Sequence, residues 1–188
     1  MSTTLSSLES KVRYLIGDNS TSAIPGDIFT YENSNVFTLT ESNVENVIAV
    51  LVNDEELESG SWSYNSTTNK VTISSSLSSG DVVEIRYTYY PNYSSDEIKK
   101  YIQAALVHIS ANNYKTFIVE NETIYPEPDD REKNLIALIT SILIEPNNKT
   151  IRLPDVSIAV PRDLPTDQKI SRAIALFKKD THGILDIL

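Results

Sequence analysis

The strongest constraint in this 188-residue chain is a break in its helical pattern. Leu5 to Ile16 (LSSLESKVRYLI) places Leu5, Leu8, Val12, Leu15 and Ile16 at helical spacing, and Gly17 follows where a helix end favours a left-handed residue. The helical period returns only at Ser94, in SSDEIKKYIQAALVHISA. Between them, residues 19–93 carry the two-residue alternation of strands. A strand-rich module set into a helical chain is a mark of construction for assembly more than of catalysis.

The strand pattern is specific. VFTLT (36–40) alternates, VIAVLV (47–52) is a continuous apolar run suited to a covered strand, and SWSYN (61–65) alternates Trp62 with Tyr64. KVTIS (70–74) alternates Val71 with Ile73, and DVVEIRYTYY (81–90) sets Val83, Ile85, Tyr87 and Tyr89 on one face. Turn residues separate these runs, and no proline lies between Pro25 and Pro91, as inner strands require. Asp18 to Ser34, rich in Asn, Ser, Thr, Gly and Pro, reads as a loop.

After Pro91, Ser94 and Glu97 have the spacing of a capping box, and Ile98, Ile102, Ala105, Leu106 and Ile109 form a buried stripe. A proline-bearing loop spans Glu120 to Pro128. Asp129 and Glu132 then open a third helix, which runs to Ile144 and is apolar on nearly every side beyond Leu135. Such a helix is covered all round, by its own domain or by a neighbouring subunit. The extended segment 151–165 has room for one short strand around Val156, Ile158 and Val160, and Thr166 caps a last helix. The expected fold class is α+β, a bundle of about four helices with an inserted antiparallel sheet or sandwich of four to five strands. Residues 1–18 and 94–188 form the helical domain, and 19–93 the β domain.

Composition narrows the function. With no cysteine there are no disulfides, thiol nucleophiles or cysteine-ligated zinc. The start MSTTLSSLES lacks the basic and apolar regions of a signal peptide, and no apolar run reaches membrane-spanning length, so the expectation is a soluble, cytoplasmically made protein without membrane contact. The net charge of -10 is concentrated: residues 19–93 hold ten acids against Lys70 and Arg86, a net -8. A surface of that sign repels phosphate and argues against nucleic-acid binding.

Chemistry is nearly absent. His108 sits beside the Leu106/Ile109 stripe, where a helix-surface or core role is the simpler one, and His182 suits capping near a helix end. Neither stands in a nucleophile–base arrangement, and no phosphate loop, HExxH or EF-hand pattern occurs. Asp129 and Asp130 are better read as helix-capping than as metal-binding. No catalytic, cofactor-binding or metal residue is assigned, and the chain is not read as an enzyme.

Two features suggest contacts. Trp62, Tyr64, Tyr89 and Tyr90 concentrate in the β module; cross-strand pairing accounts for them, while sugar stacking or a subunit contact are the functional readings. Ile184, Leu185, Ile187 and Leu188 form an apolar cluster at the chain end, which folds back on its own core or docks into another protein.

KVRYLIGD (11–18) resembles the opening helix of the tailed-bacteriophage head–tail connector (adaptor) family, which commonly reads Val-Arg-x-Leu-Ile-Gly-Asp. SSDEIKKYIQAAL (94–106) resembles the family's second helix, and the β block resembles strand-rich modules of phage virion proteins. The family usually joins these helices by a short loop, so the β insertion departs from it. The resemblance implies a homo-oligomeric ring, typically a dodecamer, beneath the portal protein and above a stopper or tail protein, in the neck of a virion assembled in the host cytoplasm. It implies a channel wall past which DNA moves without sequence-specific binding, and portal contact through the C-terminal region, here Phe177, Ile184, Leu185, Ile187 and Leu188. The other reading is a carbohydrate- or protein-binding decoration or fibre component using the aromatic β module.

Overall fold

A computed structural model describes residues 2–146, 150–152, 157–159 and 164–179. The protein is α+β, with four helices and antiparallel sheets of four, three and two strands among the described residues. Two compact units are present: Met1–Asp18 together with the chain from Ser95 onward, and Asn19–Ser94.

In the helical unit, α1 (Leu5–Ile16) begins at a Thr4–Ser7 capping box and ends at Gly17, whose φ of 74° is left-handed. The Asp18 N–H reaches back to the Arg13 carbonyl at 3.1 Å, the six-to-one bond that seals such an end. α2 (Ser95–Ala111) buries Ile98, Ile102, Ala105, Leu106 and Ile109, the stripe expected from its period. α3 (Asp130–Ile144) opens with the Asp129/Glu132 capping box and packs against α1, α2 and α4 (Thr166–Lys179). Leu135 through Ile142 are all buried, so the helix that is apolar on every side is covered by its own unit. Ile170, Ala173 and Ile174 are the buried stripe of α4, and the Pro165 carbonyl, not Thr166, accepts its first helical bond.

The stretch expected to be a loop at 120–128 is instead a hairpin of two strands, Ile118–Glu120 and Thr123–Tyr125, labelled below in chain order as β8 and β9. Asn121 and Glu122 at its tip both take positive φ (47° and 65°), the geometry of a type I′ turn. The chain start completes it: Thr4 bridges to Thr123, the Ile124 N–H donates to the Thr3 carbonyl, and Thr3 donates from its N–H and hydroxyl to Glu127. Two further strands, β10 (Thr150–Arg152) and β11 (Ser157–Ala159), pair antiparallel where one was expected; Val156 and Val160 lie outside the described residues.

The β unit holds seven strands: β1 (Thr21–Thr30), β2 (Val36–Thr38), β3 (Val44–Val52), β4 (Glu55–Glu56), β5 (Trp62–Asn65), β6 (Lys70–Ile73) and β7 (Val82–Tyr89). They form one sheet in the order β1-β7-β3-β4 and another in the order β2-β6-β5. Phe37 and Leu39 near one sheet edge, Val47 and Val50 of β3, Val71 and Ile73 of β6, and Val83, Ile85 and Tyr87 of β7 share a single buried cluster, so the sheets face each other as a sandwich. The inner strands of the larger sheet are β7 and β3, the latter holding the VIAVLV run between β7 and the two-residue β4.

The largest correction is β1, since Asp18 to Ser34 reads as a loop. Its Pro25 and Gly26 fall in a register shift between Ala23 and Asp27, and β1 lies at a sheet edge, the two settings where a strand tolerates proline. The pairing that makes it a strand is with β7, Thr21 to Tyr89 through Thr30 to Val82, and lies far away in sequence.

Candidate functional site

Two charged letters of KVRYLIGD, Arg13 and Asp18, meet Glu9 in one buried cluster. Arg13 lies within 2.5 Å of Asp18 Oδ2, and its Nε and Nη2 reach Glu9 Oε1 at 2.9 and 2.8 Å. The same Glu9 oxygen accepts from the Ser95 hydroxyl at 2.7 Å. Arg13 is 4% exposed and Asp18 1%. Glu9 is one helical turn from Arg13, and the Gly17 turn swings Asp18 back toward the guanidinium. The last residue before the insertion and the first residue after it are thus held by one ion cluster of the helical unit. Sequence reasoning gave Arg13 and Asp18 no such role; an Arg five residues before an Asp across a helix-ending Gly was the available signal.

That arrangement makes a prediction. Replacing residues 19–94 by about four Gly/Ser residues is expected to leave the helical unit folded, with stability changed by no more than about 1 kcal/mol. Helical circular dichroism and a cooperative melt check it; a loss of both would show that the helices depend on the insert.

The aromatic candidates of the β unit are engaged internally. Trp62 pairs with Ile73 and Tyr64 with Val71 across β5 and β6, and Trp62, Tyr64 and Tyr89 pack against the sandwich core. The Tyr64 hydroxyl donates to Asn69 Oδ1 at 3.0 Å, and burial pushes its pKa up. Tyr90 donates to Glu45 Oε1 at 2.6 Å. Tyr87, wholly buried, has its pKa pushed up to about 12, chiefly by burial; its hydroxyl donates to Asp27 Oδ2 at 3.1 Å, an oxygen that also accepts the Thr40 N–H at 2.7 Å. These contacts are those of a core with cross-strand pairs.

At the other proposed contact, Phe177 is half-buried on α4. Arg131 of α3 lies over its ring at 5.5 Å and donates from Nη2 to its carbonyl at 2.8 Å. Ile184, Leu185, Ile187 and Leu188 lie outside the described residues. Beside α4, Leu164, Asp167, Gln168, Ser171, Arg172 and Ala175 line an open groove of about 490 Å³. His108 is half-buried on α2, and Asp129 is occupied as the α3 cap. No group of three or more His, Asp or Glu side chains is placed to hold a metal ion among the described residues.

One polar feature of the β unit was invisible in the sequence. Glu84 Oε1 accepts the Arg86 Nε at 2.7 Å and the Gly26 N–H at 3.2 Å, and Oε2 accepts Arg86 Nη2 at 3.1 Å. These donors, Arg86 first and Gly26 second, hold the Glu84 carboxyl below its usual range. The interaction therefore contributes above the ordinary carboxylate pKa and is lost as the pH falls through the depressed one. No protein-family model matches this chain, and no curated protein matches it.

Proposed function

We propose that this chain is a structural virion protein, a head–tail connector (adaptor) that assembles into a homo-oligomeric ring under the portal, joins capsid to tail and lines the DNA channel. The observation that carries the reading is the cluster at the end of α1. Arg13 and Asp18, two letters of the motif that resembles the family's opening helix, are buried as an ion pair closed by the exposed turn at Gly17, a third. The cluster is tied to Ser95, which belongs to the second resembling motif. The net charge of -10 suits a wall past which a polyanion moves without adhering. The inserted β unit is then an elaboration of the ring scaffold.

The test is electron microscopy and mass measurement of the purified full chain, alone and with the portal protein of the same virion. Rings, alone or on portal, are expected, and removal of Gly183–Leu188 is expected to weaken portal association at least about tenfold. A strictly monomeric chain that does not bind portal, with or without those residues, overturns the reading. The sugar-stacking alternative draws no support from Trp62, Tyr64 or Tyr89, whose rings pack on the sandwich core.

A further inference from the structure

One face of the four-stranded sheet builds the sandwich core; the opposite face is unusual in composition. Strand register places Ile28 of β1, Glu84 of β7, Leu51 of β3 and Glu56 of β4 side by side across it. Val82, opposite Thr30, is the diagonal neighbour of Ile28 on that face. At the register shift between Val47 and Ala49, Ile48 is the extra residue of β3. Outward positions of a sandwich are ordinarily polar, yet Ile28 is 63% exposed, Ile48 48% and Val82 45%.

Charge on the same face is one-sided. Lys70 lies on β6 in the other sheet, so Arg86 is the only base that the β unit contributes to this one. Arg86 is closed on Glu84, and Asp54 and Glu56 are near enough to act on its guanidinium through space. The acids outnumber the base, within a unit whose overall charge is -8.

We propose that this sheet face docks a cationic protein segment in which lysine or arginine alternates with aliphatic side chains. Ile28 and Val82 supply apolar area that loses its water on contact, and Asp54 and Glu56 select the sign of the partner. A second copy fits poorly. A two-fold pairing of like faces brings an acidic patch, Glu84, Glu56 and Asp54, toward an identical acidic patch. An anionic polymer is repelled by the same charges. The inference goes beyond the connector reading and holds whether or not the chain forms rings.

The test uses the full chain and two soluble peptides, one alternating lysine with valine and one alternating glutamate with valine, followed by methyl and backbone NMR shifts. The lysine peptide is expected to bind saturably, with shifts at Ile28, Ile48 and Val82, and the glutamate peptide not to bind. Ile28→Ser with Val82→Ser is expected to weaken binding about tenfold. Asp54→Asn with Glu56→Gln is expected to weaken it about threefold and flatten its salt dependence. Both pairs are exposed, so an unchanged melt shows that the face and not the fold was altered. Equal binding of the two peptides, no binding, indifference to both pairs, or shifts confined to the Trp62 strand would overturn the proposal. So would a chain dimer that Ile28→Ser abolishes, which would assign the face to a second copy.

Discussion

Arg13→Ala is expected to destabilise the helical unit by about 3–5 kcal/mol, because it strands two buried carboxylates. Glu9 and Asp18 share one guanidinium, and neither has water to replace it: Asp18 is 1% exposed and Glu9 9%. The loss belongs mainly to the uncompensated charge and only secondarily to the missing contact. Arg13→Lys, which keeps the charge and loses the planar fork, is expected to fall between alanine and the native residue. A triple variant, Glu9→Gln with Arg13→Met and Asp18→Asn, is expected to recover a large part of the alanine loss, since it removes the three charges of the cluster together. Trp62 is the only tryptophan and lies in the β unit, so its fluorescence reports that unit while helical circular dichroism reports the other. The predicted signature is an early helical transition with a nearly unchanged Trp62 transition. An Arg13→Ala loss below about 1 kcal/mol would show that the cluster is solvated and of little weight.

Gly26→Ala is expected to do the opposite, lowering the Trp62 transition by about 3 kcal/mol or more while leaving the helical signal in place. A Cβ at position 26 would stand 1.9 Å from the Ile85 carbonyl oxygen and 2.5 Å from its carbon. Both are backbone atoms of the inner strand β7, so no side-chain rotation relieves the clash. β1 would have to move off β7 at its bulge, loosening the Gly26 N–H bond to Glu84 and the Asp27 acceptor that serves Thr40 and Tyr87. Here glycine is required by close approach of two strands and not by a positive φ. Chemical denaturation followed by Trp62 emission checks it. An unchanged midpoint would mean that the edge strand contributes little to the sandwich.

Much of the architecture was legible because its signals are local. The Leu5/Leu8/Val12/Leu15 stripe, the Gly17 stop and the Asp129/Glu132 capping box each act within a turn or two of helix, and all three appear as expected. The face of β7 bearing Val83, Ile85 and Tyr87 needed only alternation to be recognised. The errors share a cause as well. β1 was hidden because Pro25 and Gly26 are loop residues by local preference, and only a partner at Ile85 to Tyr87 turns them into a bulge. The β8–β9 hairpin was hidden because Asn121-Glu122 is a weaker turn signal than Asn-Gly, and it is anchored by chain-start residues about 120 positions away.

For the candidate surfaces the division is sharper. Sequence could point to Trp62 and Tyr64 but not say which way the rings face. Strand register and core packing decide that they line the sandwich. Conversely, Ile28 drew no notice because a lone apolar residue in a loop-like stretch carries no pattern, and Ile48 and Val82 were read only as strand residues, with no sign that they face outward. Pairing across three strands is what gathers them beside Glu84.

Sequence alone determined a helical chain with an acidic β insertion between residues 18 and 94, because periodicity, caps and net charge are properties of consecutive residues. Only the tertiary structure decided that Glu9, Arg13, Asp18 and Ser95 form one buried cluster at the edge of that insertion. Charges become an ion cluster only when the fold removes their water and sets them within hydrogen-bond reach, and no spacing along the chain encodes that removal.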